Sequence, residues 1–301
     1  MKKNDVFLIS SLAFLIVTFI LSFFKEEFTI SHREYIKSAL INQKYIPDIN
    51  SIEFSGEDGS LLLTKTNSLW LLSAADNPQI SFPADAAKVE NFLNDFSKVR
   101  NMYKISDKIT AGNSFGLTDS TAFVIKYHYK DTFDEVIFGN QDFSLSSRYM
   151  MSGRNTAVYE VNDEIQKYLS SSVQFWAEPY LISRYASGIS SADSVQRLLL
   201  SEPESTSASS SARVIPFDSR LLELRHGGLA LEVPDSSLLP SLTLTLELGN
   251  KSSVIMNFYS LGEENENSYL LVQDYLSSSR KNRFYVKISS WTYRRIKEIT
   301  L

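Results

Sequence analysis

The sequence predicts an α+β fold: an N-terminal transmembrane helix followed by two similar mixed α+β modules rich in antiparallel hairpins. Three features of the 301 residues predict it: an uncharged apolar run at the start, short alternating apolar runs broken by Gly, Asn and Asp, and one long helical stripe. With 43% hydrophobic and 22% charged residues, the chain can bury cores and is not disordered or collagen-like. Its formal charge of −5 argues against a nucleic-acid partner, which calls for a basic stripe. The absence of cysteine removes thiolate nucleophiles, iron–sulfur clusters and thiolate zinc sites.

Residues 1–5 read as a cytoplasmic tail. Val6–Phe24 carries no charge, and its polar side chains are all hydroxyls. At about 1.5 Å rise per residue it spans about 28 Å, close to a bilayer's hydrocarbon thickness. No small-x-small cleavage site follows Leu21-Ser22-Phe23-Phe24, so the reading is an uncleaved, single-pass signal anchor with the lipid bilayer as partner. Lys2 and Lys3 precede it, and Lys25, Glu26 and Glu27 follow. The positive-inside rule then keeps the N-terminus in the cytoplasm and sends the body across the inner membrane of a bacterium to the periplasm.

Residues 25–50 read as a charged juxtamembrane stretch, helical around Arg33–Leu40 and ending before Pro47. The first module takes residues 51–170. Ile52–Phe54, Leu61–Leu63 and Leu69–Leu72 are strands separated by Gly56-Glu57-Asp58-Gly59 and Thr66-Asn67-Ser68 turns. Val89, Phe92, Leu93, Phe96 and Val99 then fall on one face of a helix, with Asp85 and Glu90 early and Lys98 and Arg100 late, as the helix dipole favours. Strands return at Ala122–Tyr129, Glu135–Phe138, Arg148–Met151 and Ala157–Val161, and Asn162 can cap a short helix through Ile165 and Leu169.

Residues 171–192 read as a linker, broken by Trp176-Ala177-Glu178-Pro179, and residues 193–301 as the second module with a serine-rich flexible loop at 202–212. An internal repeat shows in gapless matches. Ser60–Leu72 lies on Arg220–Glu232 as strand, turn and strand; Val158–Leu169 lies on Tyr285–Ile296 as strand, cap and helix. Between them Phe123–Tyr129, Val136–Phe138 and Arg148–Met151 answer Leu242–Leu248, Val254–Phe258 and Ser268–Val272, and Ile52–Phe54 answers Val195–Leu200. The second copy lacks a counterpart of the long helix and carries a longer loop, Gln273–Arg283.

No catalytic, cofactor-binding or metal-binding residue emerges. Gly112-Asn113-Ser114-Phe115-Gly116 matches G-x-S-x-G, but a nucleophile elbow needs an apolar strand before the serine and a helix after it, and neither is written there. His32, His128 and His226 are isolated: His128 sits in an alternating strand, and His226 reads as a hairpin tip. Glu263-Glu264-Asn265-Glu266 lacks calcium-loop spacing and reads as a solvated loop. Ser278-Ser279-Arg280-Lys281 contains S-x-x-K in a basic loop; Arg294, Arg295 and Lys297 suit the last helix's dipole.

The combination of N-terminal anchor, Ser51–Phe54, Leu61–Leu72, Phe82–Phe96, Phe115-Gly116-Leu117, Ile137-Phe138-Gly139 and Tyr149 is similar to bacterial proteins carrying domain of unknown function 4340. The resemblance implies an anchored periplasmic protein associated with gliding-motility-type ABC transport components, and it carries no catalytic residues. It reads Phe115-Gly116-Leu117 as a turn. The function expected is therefore a non-catalytic accessory or scaffolding subunit of an ABC-type membrane complex. The alternative is an extracytoplasmic ligand-binding or sensing module, and a serine hydrolase using Ser114 is a remote third.

Overall fold

The computed structural model describes residues 12, 14–19, 35–67, 69–110, 114–118, 120–153, 155–189, 191–202, 212–230, 238–261, 268–277 and 280–300. It corrects the fold class: the described residues are mostly antiparallel β-sheet, arranged as one ten-stranded and one seven-stranded sheet. Among the described residues no helix is long and apolar enough to cross a membrane. Of the predicted span Val6–Phe24, only Leu12 and Phe14–Phe19 are described, as helix. The rest of that span, and the tail before it, lie outside the described residues.

The first sheet holds β1 (Tyr35–Ser38), β2 (Ile49–Gly56), β3 (Gly59–Thr66), β4 (Leu69–Ala74), β5 (Asn77–Pro83), β6 (Arg100–Ser106), β7 (Phe123–Tyr129), β8 (Thr132–Gln141), β9 (Ser147–Ser152) and β10 (Val158–Asn162), in the order β1-β6-β10-β9-β8-β7-β2-β3-β4-β5. The second holds β11 (Val195–Ser201), β12 (Arg213–Ile215), β13 (Gly228–Leu229), β14 (Leu242–Leu248), β15 (Ser253–Ser260), β16 (Ser268–Ser277) and β17 (Arg280–Ser289), in the order β12-β11-β14-β15-β16-β17-β13. Their centres share one wiring. A four-stranded meander, β7–β10 or β14–β17, receives an earlier strand, β2 or β11, beside its first member, and β3 or β12 beyond that. The alternation that predicted these strands is the alternation of their burial: Ile125, Tyr127 and Tyr129 face inward on β7, and Leu242, Leu244, Leu246 and Leu248 on β14.

Several local expectations change. The helix expected around Arg33–Leu40 is, over Tyr35–Ser38, an edge strand paired with β6 in the register Tyr35↔Tyr103. Arg220–Glu232 is not a hairpin: Ser219–Glu223 is a 3-10 turn with Leu221 and Leu222 buried, and Gly228–Leu229 pairs with β17. The loop expected at Gln273–Arg283 is the end of a long hairpin, with Asp274 opposite Arg283 and the two ion-paired at 2.6 Å. Glu263–Glu266, Ser278 and His32 lie outside the described residues, as does most of the serine-rich loop.

Helix α1 (Ala86–Ser97) is capped by Asp85, whose carboxylate accepts from Lys88 N at 3.1 Å. It buries Val89, Phe92 and Phe96, with Phe92 against Phe54 (ring centroids 5.4 Å apart). Val99, assigned to the same stripe, lies past the helix end and is exposed. Asp95 ties α1 to the turn at Asp163–Tyr168, accepting from Tyr168 Oη at 2.7 Å and pairing with Lys98 and Lys167; those donors, Lys98 first, hold its carboxyl well below the usual range. Two single-turn helices follow, α2 (Val173–Trp176) and α3 (Arg184–Ser187). On the second sheet, α4 (Ser290–Thr300) begins at Ser289, whose hydroxyl accepts from Thr292 N, and buries Tyr293 and Ile296.

One apolar cluster runs from Leu40 to Ile296 and includes residues of both sheets.

Candidate functional site at the joint between the sheets

The segment read as a linker is a joint. Asp85 N donates to Trp176 O at 2.8 Å and Glu178 N to Pro83 O at 3.0 Å, which docks Trp176–Glu178 along the end of β5. Just beyond, Leu181 N donates to Leu224 O at 2.7 Å and His226 N to Pro179 O at 3.3 Å; Gly227 N then donates to Lys287 O on β17. The short chain thus stitches an edge of one sheet to an edge of the other. Trp176 is fully buried beneath it, its indole donating to Ser170 O at 2.7 Å and its ring 4.7 Å from that of Phe54. Phe82 meets Phe284 and His226 edge-on across the same seam.

Polar groups are buried here as well. Glu178 is 4% exposed, and its carboxylate accepts from Ser183 Oγ at 2.5 Å and Arg184 N at 3.1 Å. Its main-chain carbonyl accepts from His226 Nε2 at 2.7 Å. Tyr275 Oη accepts from Ser183 N at 2.9 Å, and Gln273 Nε2 donates to Leu181 O. Burial raises the Glu178 carboxyl to about 7, opposed by its two donors; burial also lowers the His226 imidazole and raises the Tyr275 phenol. His226 is therefore no hairpin tip but a buried donor in the joint.

Next to this network lies a cleft of about 410 Å³. The β3–β4 turn contributes Asn67 and Leu69, α3 and its flank contribute Tyr185–Gly188, the β14–β15 turn contributes Asn250, Ser252 and Ser253, and β16 and β17 contribute Tyr275–Ser277 and Asn282. The described lining is neutral: amides, hydroxyls, two tyrosines and a few aliphatic groups. Asn67 stands at φ 51, a left-handed conformation that asparagine tolerates in a tight turn. Gly188 closes α3 at φ 72. Tyr275 belongs to both features, its hydroxyl in the network and its side chain in the cleft wall.

The other sequence motifs stand apart. Ser114 O accepts from Leu117 N in a turn that leads into β7, with no helix after it among the described residues, so the elbow geometry is absent there. That turn packs on the strand pair: Asn140 N donates to Phe115 O at 2.9 Å, and the Phe115 and Tyr149 rings lie 4.8 Å apart. A Cβ on Gly139 would sit 2.2 Å from Phe115 O, which explains a glycine there. His128 is half-buried beside Phe133. Arg295 pairs with Glu298, and Lys297 is in the last turn of α4. Among the described residues, no three His, Asp or Glu side chains gather where they could hold a metal ion.

Sequence reasoning did not find Glu178, His226 or the cleft. The one local signal was the Trp-Ala-Glu-Pro break, which also fits an ordinary linker.

Residues 76–215 match the family model described as Domain of unknown function (DUF4340). The match begins in the β4–β5 turn and ends at β12, so it contains α1, the Phe115-Gly116-Leu117 turn, the joint and the first strands of the second sheet. Ser51–Phe54 and Leu61–Leu72 lie before it. No curated protein and no solved structure matches the chain.

Proposed function

We propose that the chain is a non-catalytic binding module that works outside the cytoplasm as an accessory subunit of an ABC-type membrane complex. The observation that carries this reading is the cleft: it takes residues from both sheets and from the joint, the kind of interface at which ligand sites form. A ligand held there contacts both halves at once and so stabilises the folded body. The test is thermal unfolding of the full chain against neutral sugars, short peptides and short-chain lipids. At least one class should raise the transition temperature, since a ligand specific for the folded state adds RT ln(1 + [L]/Kd) to stability. No shift with any class rejects the reading.

A second reading, a scaffolding subunit acting through protein contacts, is favoured by the apolar side chains of Leu12, Phe14, Leu15, Ile16, Val17 and Phe19, each at least half exposed. Pull-down of the full chain from detergent-solubilised membranes should then recover protein partners; a clean monomer counts against it.

A further inference from the structure

We infer that the cleft takes a neutral saccharide. The inference rests on the binding-module reading and names its ligand class. Among the described residues no charged side chain lines the cleft, so they offer neither an anionic nor a cationic ligand a counter-charge. Amides offer both donors and acceptors, which suits ligand hydroxyls that themselves donate and accept. Among the described residues, Asn67 from the β3–β4 turn and Asn282 from β17 both line the cleft, and neither side chain makes a hydrogen bond within the chain. Asn250 is fixed: its Oδ1 accepts from Ser252 N at 3.0 Å, which leaves its Nδ2 as a donor on the wall. A Cβ on Gly188 would lie 3.8 Å from that Nδ2, so this turn abuts the end of α3.

Tyr185 supplies the second half of the argument. Its side chain is 55% exposed at the rim, on a helix held from below by Ser183, which caps α3 and donates to Glu178. An exposed aromatic face beside a cluster of neutral amides gives the apolar face of a pyranose ring something to cover while its hydroxyls are paired. A peptide is a poorer occupant, because main-chain recognition needs an open sheet edge. Most of the frame, β3, β4, β15 and β16, is paired on both sides; β17, which meets β13 no further than Val286, leaves an edge beside Asn282. A lipid tail is poorer still, since Leu69, Ala186 and Leu276 are the cleft's aliphatic side chains. The volume, about 410 Å³, lies in the range of small-ligand pockets, roughly 300–1,000 Å³.

The test uses the full chain in a sugar-free detergent, with calorimetric titration of three probe sets. These are neutral disaccharides built from glucose, galactose or N-acetylglucosamine, an uncharged Ala/Gly/Ser tetrapeptide, and a short-chain phosphatidylcholine. At least one disaccharide should bind; Tyr185→Ala and Asn282→Ala should each weaken it tenfold or more, while Tyr185→Phe, which keeps the ring, should stay within threefold. Circular dichroism of each variant checks that the fold is kept. Saccharide binding that both alanine variants leave unchanged overturns the site. Binding of peptide or lipid without any saccharide overturns this inference and leaves the binding-module reading standing. Binding of none of the probes overturns both.

Discussion

At Glu178 a carboxyl group with an ordinary pKa near 4.5 is carried into the joint and raised to about 7, chiefly by loss of water. Asp85 adds to the rise and Arg184 opposes it, while His226 and Tyr275 also face the group from the second sheet. The sign follows from which state holds the proton more tightly. Below about 4.5 both folded and unfolded chains are protonated there and the site costs nothing. Between about 4.5 and 7 the unfolded chain releases its proton while the folded chain keeps it, so stability falls as pH rises and levels off above about 7. The conversion of about 1.36 kcal/mol per pKa unit makes this loss about 3 kcal/mol. Glu178→Gln copies the protonated form: its oxygen can still accept from Arg184 N and its amide can donate to Ser183 Oγ. Urea unfolding at pH 5 and pH 8 should show the variant gaining about 2–3 kcal/mol relative to the parent at the higher pH. An equal difference at both values would falsify the assignment. His226, whose pKa burial lowers, acts in the other direction and weakens the fold as pH drops below the ordinary imidazole range. Gly139 is a simpler residue-scale case. Gly139→Ala drives a methyl into the Phe115 carbonyl, a backbone atom that cannot swing away, and should cost about 2–3 kcal/mol by the same measurement.

Elements are where the sequence was most readable. Period-two burial marks β7 and β14, and the Asp85 cap with Val89, Phe92 and Phe96 marks α1, because each signal is local and repeats several times. Val99 misled, since the stripe continues one step past the residue where Lys98 ends the helix. The strand at Tyr35–Ser38 and the 3-10 turn at Ser219–Glu223 were missed, because pairing with β6 or burial of Leu221 and Leu222 under α4 is decided by distant chain. The matched segments Val158–Leu169 and Tyr285–Ile296 do share a strand, a polar cap and a helical turn, with Asn162 and Ser289 in equivalent places. Cap energetics make this testable. Asp85→Ala and Ser289→Ala should each lower stability by about 1 kcal/mol, and Asp85→Asn by much less, in denaturant titrations. Losses below about 0.3 kcal/mol for both alanine variants would mean that tertiary packing alone sets these helix starts.

For the molecule as a whole, what the sequence presents as two modules and a linker becomes a body with a shared apolar cluster. The joint and the cleft were illegible beforehand for one reason: their residues come from the β3–β4 turn, the Trp176–Gly188 segment, the β14–β15 turn and the β16–β17 hairpin. No periodicity links segments that far apart, and each taken alone resembles an ordinary turn. Fusion across the seam has a thermodynamic consequence. Phe82, Trp176, Phe284 and the Glu178–Ser183–Tyr275 bonds lose their partners if either sheet opens, so one sheet cannot melt while the other keeps its edge covered. Far-ultraviolet circular dichroism follows both sheets, whereas tryptophan fluorescence reports Trp70 and Trp176 on the first side and Trp291 on α4. The two probes should trace one coincident transition in denaturant, as a cooperative unit requires. Phe82→Ala, which empties the seam while leaving the main-chain pairing of β5 with β4 in place, should cost about 3–4 kcal/mol and move both curves together. If instead the variant splits the transition while the parent keeps one, the joint is the element that makes the two sheets cooperative; if the parent itself unfolds in two steps, the sheets are independent and the seam is only a contact between them.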